Sequence, residues 1–170
     1  HPAHHSSFAS SHPGRNPFDT IEMPYGEQKL WPDHCIQGSG GASFHPNFNR
    51  AKAELIIRKG FRPDIDSYSA FFENDRKTAT GLGGLLEQLG VERVFCVGLA
   101  YDFCVGYSAL DARRLGLDAV VVRDLARLGH RLVGSVRATI GRMPIAAHAS
   151  MSAFSSFGWA SLVTWIVMWQ

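Results

Sequence analysis

The chain is poor in the features that would send it outside the cytoplasm. Its first thirty residues contain no apolar run resembling a secretory leader. Its three cysteines, Cys35, Cys96 and Cys104, are odd in number and irregularly spaced, which excludes a disulfide framework. A reducing, cytoplasmic setting is therefore expected. Long hydrophobic runs are also scarce. The most apolar stretch, "WASLVTWIVMW" from Trp159 to Trp169, is shorter than the roughly 20 residues that span a bilayer. No membrane partner is expected, and that stretch reads either as a buried strand or as drifted sequence. Charge of one sign is lacking too: seventeen Lys and Arg stand against fifteen Asp and Glu, with no basic block to follow a phosphate backbone. Nucleic acid is excluded as the expected partner.

What is there suits one domain, since 170 residues at 45% hydrophobic can bury a core. From His1 to about Asn49 the chain shows little periodicity and much Pro, Gly, Ser and Asn, a long loop region of the kind that tends to carry function. Then the texture changes. "AELIIRKG" (Ala53 to Gly60) reads as a short strand, and "ATGLGGLLEQLG" (Ala79 to Gly90) as a helix ending on glycine. "RVFCVGLA" (Arg93 to Ala100) and "LDAVVVRD" (Leu117 to Asp124) are continuous β-rich runs, as strands buried on both faces of a parallel sheet are. Between them, "DFCVGYSALDARRLG" has helical spacing, arginines in its last turn and Gly116 as its stop. Alternating strands and helices predict an α/β fold whose sites lie at the carboxyl ends of the strands.

That rule points to the residues after Gly60, Ala100 and Asp124. Cys104 falls in the opening turn of a predicted helix, where the dipole favours a thiolate; the competing reading is a small buried hydrophobe. Cys96, mid-strand, reads as core. The turn "GLAYDFC" could aim backbone N–H groups at a developing oxyanion. Lys59 ends the preceding predicted strand and would share an edge with Cys104; the alternative is a solvated strand-end lysine. "WPDHC" places Trp31 and His34 in a proline-stiffened turn, and "HPAHH" puts three histidines in five residues. That N-terminal cluster is open to three readings: a tag remnant, a polar tail, or part of a transition-metal site.

"GLAYDFCVGYSALDA" resembles the nucleophile segment of the isochorismatase-like cysteine hydrolases. "HPAHHSSFAS", "WPDHC" followed by "FHP", and "RKGFRPDIDSYSAFFEND" narrow the resemblance to the nicotinamidases, in order from His1 to about Asp124. The resemblance implies a three-layer parallel sheet with helices on both faces. It implies Cys104 as nucleophile, Lys59 as the triad lysine, and the amides of Ala100 and Cys104 as an oxyanion hole beside a Leu99–Ala100 peptide that is cis in the family. Trp31 and Tyr68 resemble the aromatic walls around the pyridine ring, with Phe8 and Leu99 adding to that pocket. His1 and His34 resemble ligands of one divalent ion (zinc, manganese or iron), and His5 coordinates in some members and not in others.

The departures matter equally. No match is found to the family's first strand with its catalytic aspartate, its first helix or its second strand, so the chain reads as N-terminally truncated and lacking the first two strands. Their loss should leave a gap beside "RVFCVGLA" with bare hydrogen-bonding edges. "GSVRATIGRM" is expected to keep a helix, whereas about 145–170 diverges, by frameshift, a misjoined gene end or drift. The whole is expected to be a single domain, 1–170. The implied activity is hydrolysis of nicotinamide to nicotinate and ammonia through a cysteine thioester, with this chain inert for want of the aspartate. Asp102 is the one conceivable stand-in. Another amidase of the superfamily and a non-catalytic remnant are the rival readings, and a homo-oligomer is left open.

Overall fold

The computed structural model describes residues 1–49, 51, 53–127 and 163–168. Among them are β1 (Thr20–Met23), β2 (Gly26–Lys29), α1 (Leu82–Gln88), β3 (Arg93–Leu99), α2 (Gly106–Arg114), β4 (Asp118–Arg127) and β5 (Val163–Met168). No helix among the described residues is long and apolar enough to cross a membrane.

The run "RVFCVGL" becomes the central strand. β3 pairs in parallel with β4 on one side and β5 on the other, giving the order β4-β3-β5. Val94 and Cys96 are fully buried, as expected of a strand covered on both faces. An Arg93–Asp118 ion pair of 2.5 Å sits where the β3–β4 register begins. The register then slips: Cys96 faces Val121, but Gly98 faces Ala126, so β4 carries extra residues opposite the end of β3.

α2 ends as the sequence predicts. Arg113 and Arg114 lie in its last turn, Arg114 bonds the Asp111 carboxylate at 2.7 Å, and Gly116 takes φ +86°, the left-handed stop that glycine adopts without strain. Its start is different from a plain helix, because residues Tyr101–Val105 form a wider π-turn before Gly106. Phe71, Leu82, Leu86, Val94, Cys96, Cys104, Val105, Ala109 and Ala112 share one core. The α/β class is thus the expected one.

Three expectations need amendment. "AELIIRKG" forms no strand, and Leu55 and Ile56 are 51% and 48% exposed. An extended run gains its energy from a neighbour's hydrogen bonds and packing, and this one pairs with no strand among the described residues. The β3 edge expected to be bare is not: β5, from the divergent C-terminal stretch, lies along it in parallel from Arg93↔Val163 to Gly98↔Met168. The loop region also contains a hairpin, with Thr20–Met23 antiparallel to Gly26–Lys29 around Pro24 and Tyr25. The helix expected in "GSVRATIGRM" lies outside the described residues.

Candidate active site

The loops of the first eighty residues are held by backbone hydrogen bonds between distant segments. Ser6 N–H donates to Pro63 O (2.7 Å), Trp31 N–H to Ser7 O (2.8 Å) and Gln37 N–H to His1 O (2.8 Å). Loop side chains are therefore placed by long-range pairing, not by helix or strand periodicity. The Ala70 N–H donates to Ser108 Oγ at 2.8 Å, which ties the 65–74 loop to α2.

Lys59 and Cys104, forty-five residues apart, meet: Nζ lies 3.3 Å from Sγ. Nζ also donates to Ser67 O at 2.5 Å, which fixes the ammonium in place. Cys104 is fully buried in the π-turn that follows β3. The Leu99–Ala100 peptide just before it is cis, and the N–H groups of Phe103 and Val105 both donate to Ala100 O, at 3.1 and 3.0 Å. The other two thiols are differently placed. Burial pushes Cys96 up to about 12, and it also raises the half-buried Cys35.

Beside Cys104 stands an aromatic group. Trp31 packs edge-on to Phe103 (5.0 Å between ring centres) and Tyr68 (6.2 Å), while Tyr68 meets Phe103 at 5.3 Å. Phe103, next to Cys104 in sequence, was not anticipated. A single phenylalanine in a helical pattern gives no sign that it turns toward a loop tryptophan. Tyr68 is strongly raised by burial, so its hydroxyl stays protonated. Phe8, bridged to Trp31 through the backbone, is fully buried and packs against imidazoles: His1 and His5 at 5.6 Å and His34 at 5.4 Å.

The histidines do converge. The His1 ring lies 4.6 Å from His5 and 4.9 Å from His34. His1 Nδ1 donates to Gly60 O at 2.7 Å, which leaves Nε2 as the free lone pair. Gly60 is required there: at φ +64° its Cβ would lie 2.4 Å from His1 Cε1. His5 is fully buried, burial holds it below its ordinary value, and its Nδ1 accepts the Ser7 N–H at 3.2 Å. Its Nε2 has no hydrogen-bond partner. His34, partly exposed, places Nδ1 2.8 Å from Pro32 O. Among the described residues, the one three-donor set able to hold an ion is His1, His5 and Asp66, with donor atoms within 4.8 Å of one another. Asp66 went unnoticed in the sequence, where it is one aspartate of a polar loop.

Residues 8–144 match the isochorismatase domain, and the chain belongs to that family. It is 54% identical over 127 residues to the nicotinamidase of Acinetobacter baylyi, covering 75% of this chain and 59% of that one. Among solved structures it is similar to an Acinetobacter baumanii nicotinamidase/pyrazinamidase (TM-score 0.74, 54% identity, 75% of this chain and 62% of that one). It is also similar to the Pyrococcus horikoshii pyrazinamidase in complex with zinc (TM-score 0.57, 29% identity, 77% and 60%). The chain thus spans about 60% of the length of these relatives.

Proposed function

We propose that these residues form the substrate and metal side of a nicotinamidase-type amidohydrolase, which converts nicotinamide and water to nicotinate and ammonia. The observation that carries this reading is the 3.3 Å contact between Lys59 Nζ and Cys104 Sγ, with the Trp31–Tyr68–Phe103 aromatics around Phe103 and the His1 ring bonded to Gly60, the residue after Lys59. An ammonium at that distance offsets the charge of a thiolate and helps place a carboxamide. Trp31 and Tyr68 would flank a flat pyridine ring, with Leu99 at its edge. Cys104 Sγ would attack the carboxamide carbon, and the amides of Ala100 and Cys104 would receive the oxyanion. Collapse releases the protonated nitrogen as ammonia and leaves a thioester, which water hydrolyses to the carboxylate and the free thiol.

The imidazoles fit a divalent ion, since His5 Nε2 is an orphaned buried nitrogen and His1 Nε2 is left free by the Gly60 bond. The resemblance assigns it to His1, His34 and His5, of which His1 and His5 bring donor atoms within 4.8 Å of one another, and it would supply a Lewis acid for the ring nitrogen. Zinc is the ion in the Pyrococcus relative; manganese and iron suit the same donors.

Lys59 can balance charge, but it does not replace the carboxylate that shuttles a proton in the family. Positioned acid–base groups contribute about 10²–10⁴-fold, so the 170 residues as they stand should turn over nicotinamide poorly. The test is ammonia release from nicotinamide with added zinc, manganese or iron, for this chain and for one extended at its N-terminus by the aspartate-bearing strand that the family resemblance implies. Gain confined to the extended chain is expected. Equal turnover by the two would remove the role given to the aspartate, and no turnover by either would overturn the reading.

A further inference from the structure

We propose that residues 54–58 are a self-association edge, on which two copies of this chain pair as antiparallel strands across a two-fold axis at Ile56. The proposal is independent of the catalytic reading. It starts from backbone groups with nothing to bond: between Ala53 and Lys59 no N–H or C=O takes part in a backbone hydrogen bond among the described residues. The run is nonetheless suited to a strand. Its centre is Leu55, Ile56 and Ile57, and exposure alternates after it, with Ile57 and Lys59 partly buried and Ile56 and Arg58 exposed. Ile57 packs on the core and Lys59 reaches Cys104, so these two anchor the run while Glu54, Ile56 and Arg58 stand open. Of the exposed large apolar side chains, Phe48, Leu55, Ile56 and Phe61 all fall in this part of the chain, the last three about half exposed. An open row of backbone groups flanked by exposed apolar side chains is a template for another strand.

The open face is complementary to itself, which is what points to a second copy as the occupant. In an antiparallel pair centred on Ile56, that residue meets the partner's Ile56, Leu55 meets the partner's Ile57, and Glu54 meets the partner's Arg58. The two-fold axis repeats the last two pairings, so the contact closes at two copies. The charges are at hand for it, because neither Glu54 nor Arg58 is in an ion pair among the described residues. Opposite charges and β-branched side chains facing each other across a ribbon stabilise it. An in-register parallel pair would instead set Glu54 beside the partner's Glu54 and Arg58 beside the partner's Arg58, so charge selects the antiparallel register.

Five residues give a ribbon about 17 Å long, held by about four to six main-chain hydrogen bonds. Such a contact buries less than the roughly 1,200 Å² at which stable interfaces begin. The pair therefore forms at high protein concentration, and in dilute solution the run stays open. Pairing engages the backbone edge and the open face, which leaves Lys59 Nζ in its place on Cys104.

Sedimentation equilibrium of the native chain from about 10 µM to about 1 mM should show the mass rising toward that of a dimer. Glu54→Arg sets arginine against the partner's Arg58 at both ends of the ribbon, and Arg58→Glu sets glutamate against the partner's Glu54. Each variant alone should weaken self-association by at least about tenfold. Mixed in equal amounts, the two should form a mixed dimer at near-native affinity, because every cross-strand charge pair is again opposite. A chain carrying both changes should recover native association for the same reason. Leu89→Ser, which removes a half-exposed leucine elsewhere, should leave association unchanged. Hydrogen exchange locates the contact: protection within 54–58 should appear at about 1 mM and vanish at about 10 µM. A native chain still monomeric at about 1 mM would overturn the proposal and leave this edge to a strand from elsewhere in the protein. Self-association that ignores both single variants would overturn it too, as would single variants that fail to pair with each other.

Discussion

Two apolar runs of equal length meet opposite ends in this molecule. "RVFCVGLA" is the central strand, paired on both sides and carrying fully buried Val94 and Cys96. "AELIIRKG" has comparable β-branched content, yet it pairs with no strand among the described residues and leaves Leu55 and Ile56 about half exposed. Strand formation is a property of a pair of segments, so a run with the right residues and no neighbour stays irregular. The contact survives the difference: Lys59, at the end of the unpaired run, still lies 3.3 Å from Cys104, and Ser67 O receives the same ammonium.

The contrast should be largest in stability. Val94→Ala removes two methyl groups from a fully buried site in the central strand and should cost about 2 kcal/mol, transfer and cavity terms together. The urea midpoint measures it, at unchanged slope. A loss under about 0.5 kcal/mol would mean that β3 is not the organising strand.

Reactivity sharpens the comparison from the other run. With a substoichiometric alkylating agent, Cys104 should be labelled ahead of Cys35 and Cys96, both of which burial raises. Lys59→Met should slow that labelling about tenfold, equivalent to roughly 1.4 kcal/mol. Intact-mass kinetics read both. Preferential labelling of Cys96, or a rate indifferent to Lys59, would separate the lysine from the nucleophile.

What could be read from residue order divides along the same line. β3, β4 and α2 were legible because their signals are local: continuous β-branched runs, helical spacing, arginines in a last turn and Gly116 behind them. The meeting of Lys59 with Cys104 and the convergence of His1, His5 and His34 were legible only through resemblance to a family, since loops encode no distance. Asp66 and Phe103 were not legible. Asp66 owes its place to Gln28, thirty-eight residues earlier in the chain, and Phe103 to Trp31. The hairpin left a weak trace in "MPYG", a proline and a glycine with φ +111° around a two-residue turn.

Glu73 gives a smaller, pH-dependent effect in the loop between the two runs. Its side chain is almost fully buried, Arg62 is 3.9 Å away but half exposed, and Oε2 has no partner. Burial raises its carboxyl above the ordinary 4.5. The fold therefore favours the protonated form, and the stability this supplies at low pH is lost as pH rises through the folded value. Glu73→Gln carries no such loss. Its advantage over the native chain should grow as pH rises from about 4.5 to 7, read from urea midpoints at the two pH values. An advantage that shrinks with rising pH would reverse the sign of the argument.

The smallest effect belongs to the unpaired run itself, and it tests the opening comparison most directly. Leu55 is 51% exposed, so replacing it removes little surface from a packed environment. Leu55→Ser should change stability by no more than about 0.5 kcal/mol, as exposed substitutions away from special features do. Were residues 53–59 a paired strand in solution, the same change would strip a leucine from a sheet and cost several times more. Hydrogen exchange gives an independent reading. Amides of 53–58 should exchange rapidly, whereas those of 94–97, held between β4 and β5, should approach the protection of global unfolding. A costly Leu55→Ser together with slow exchange across 53–58 would place a strand where none is seen, and would make the two apolar runs alike after all.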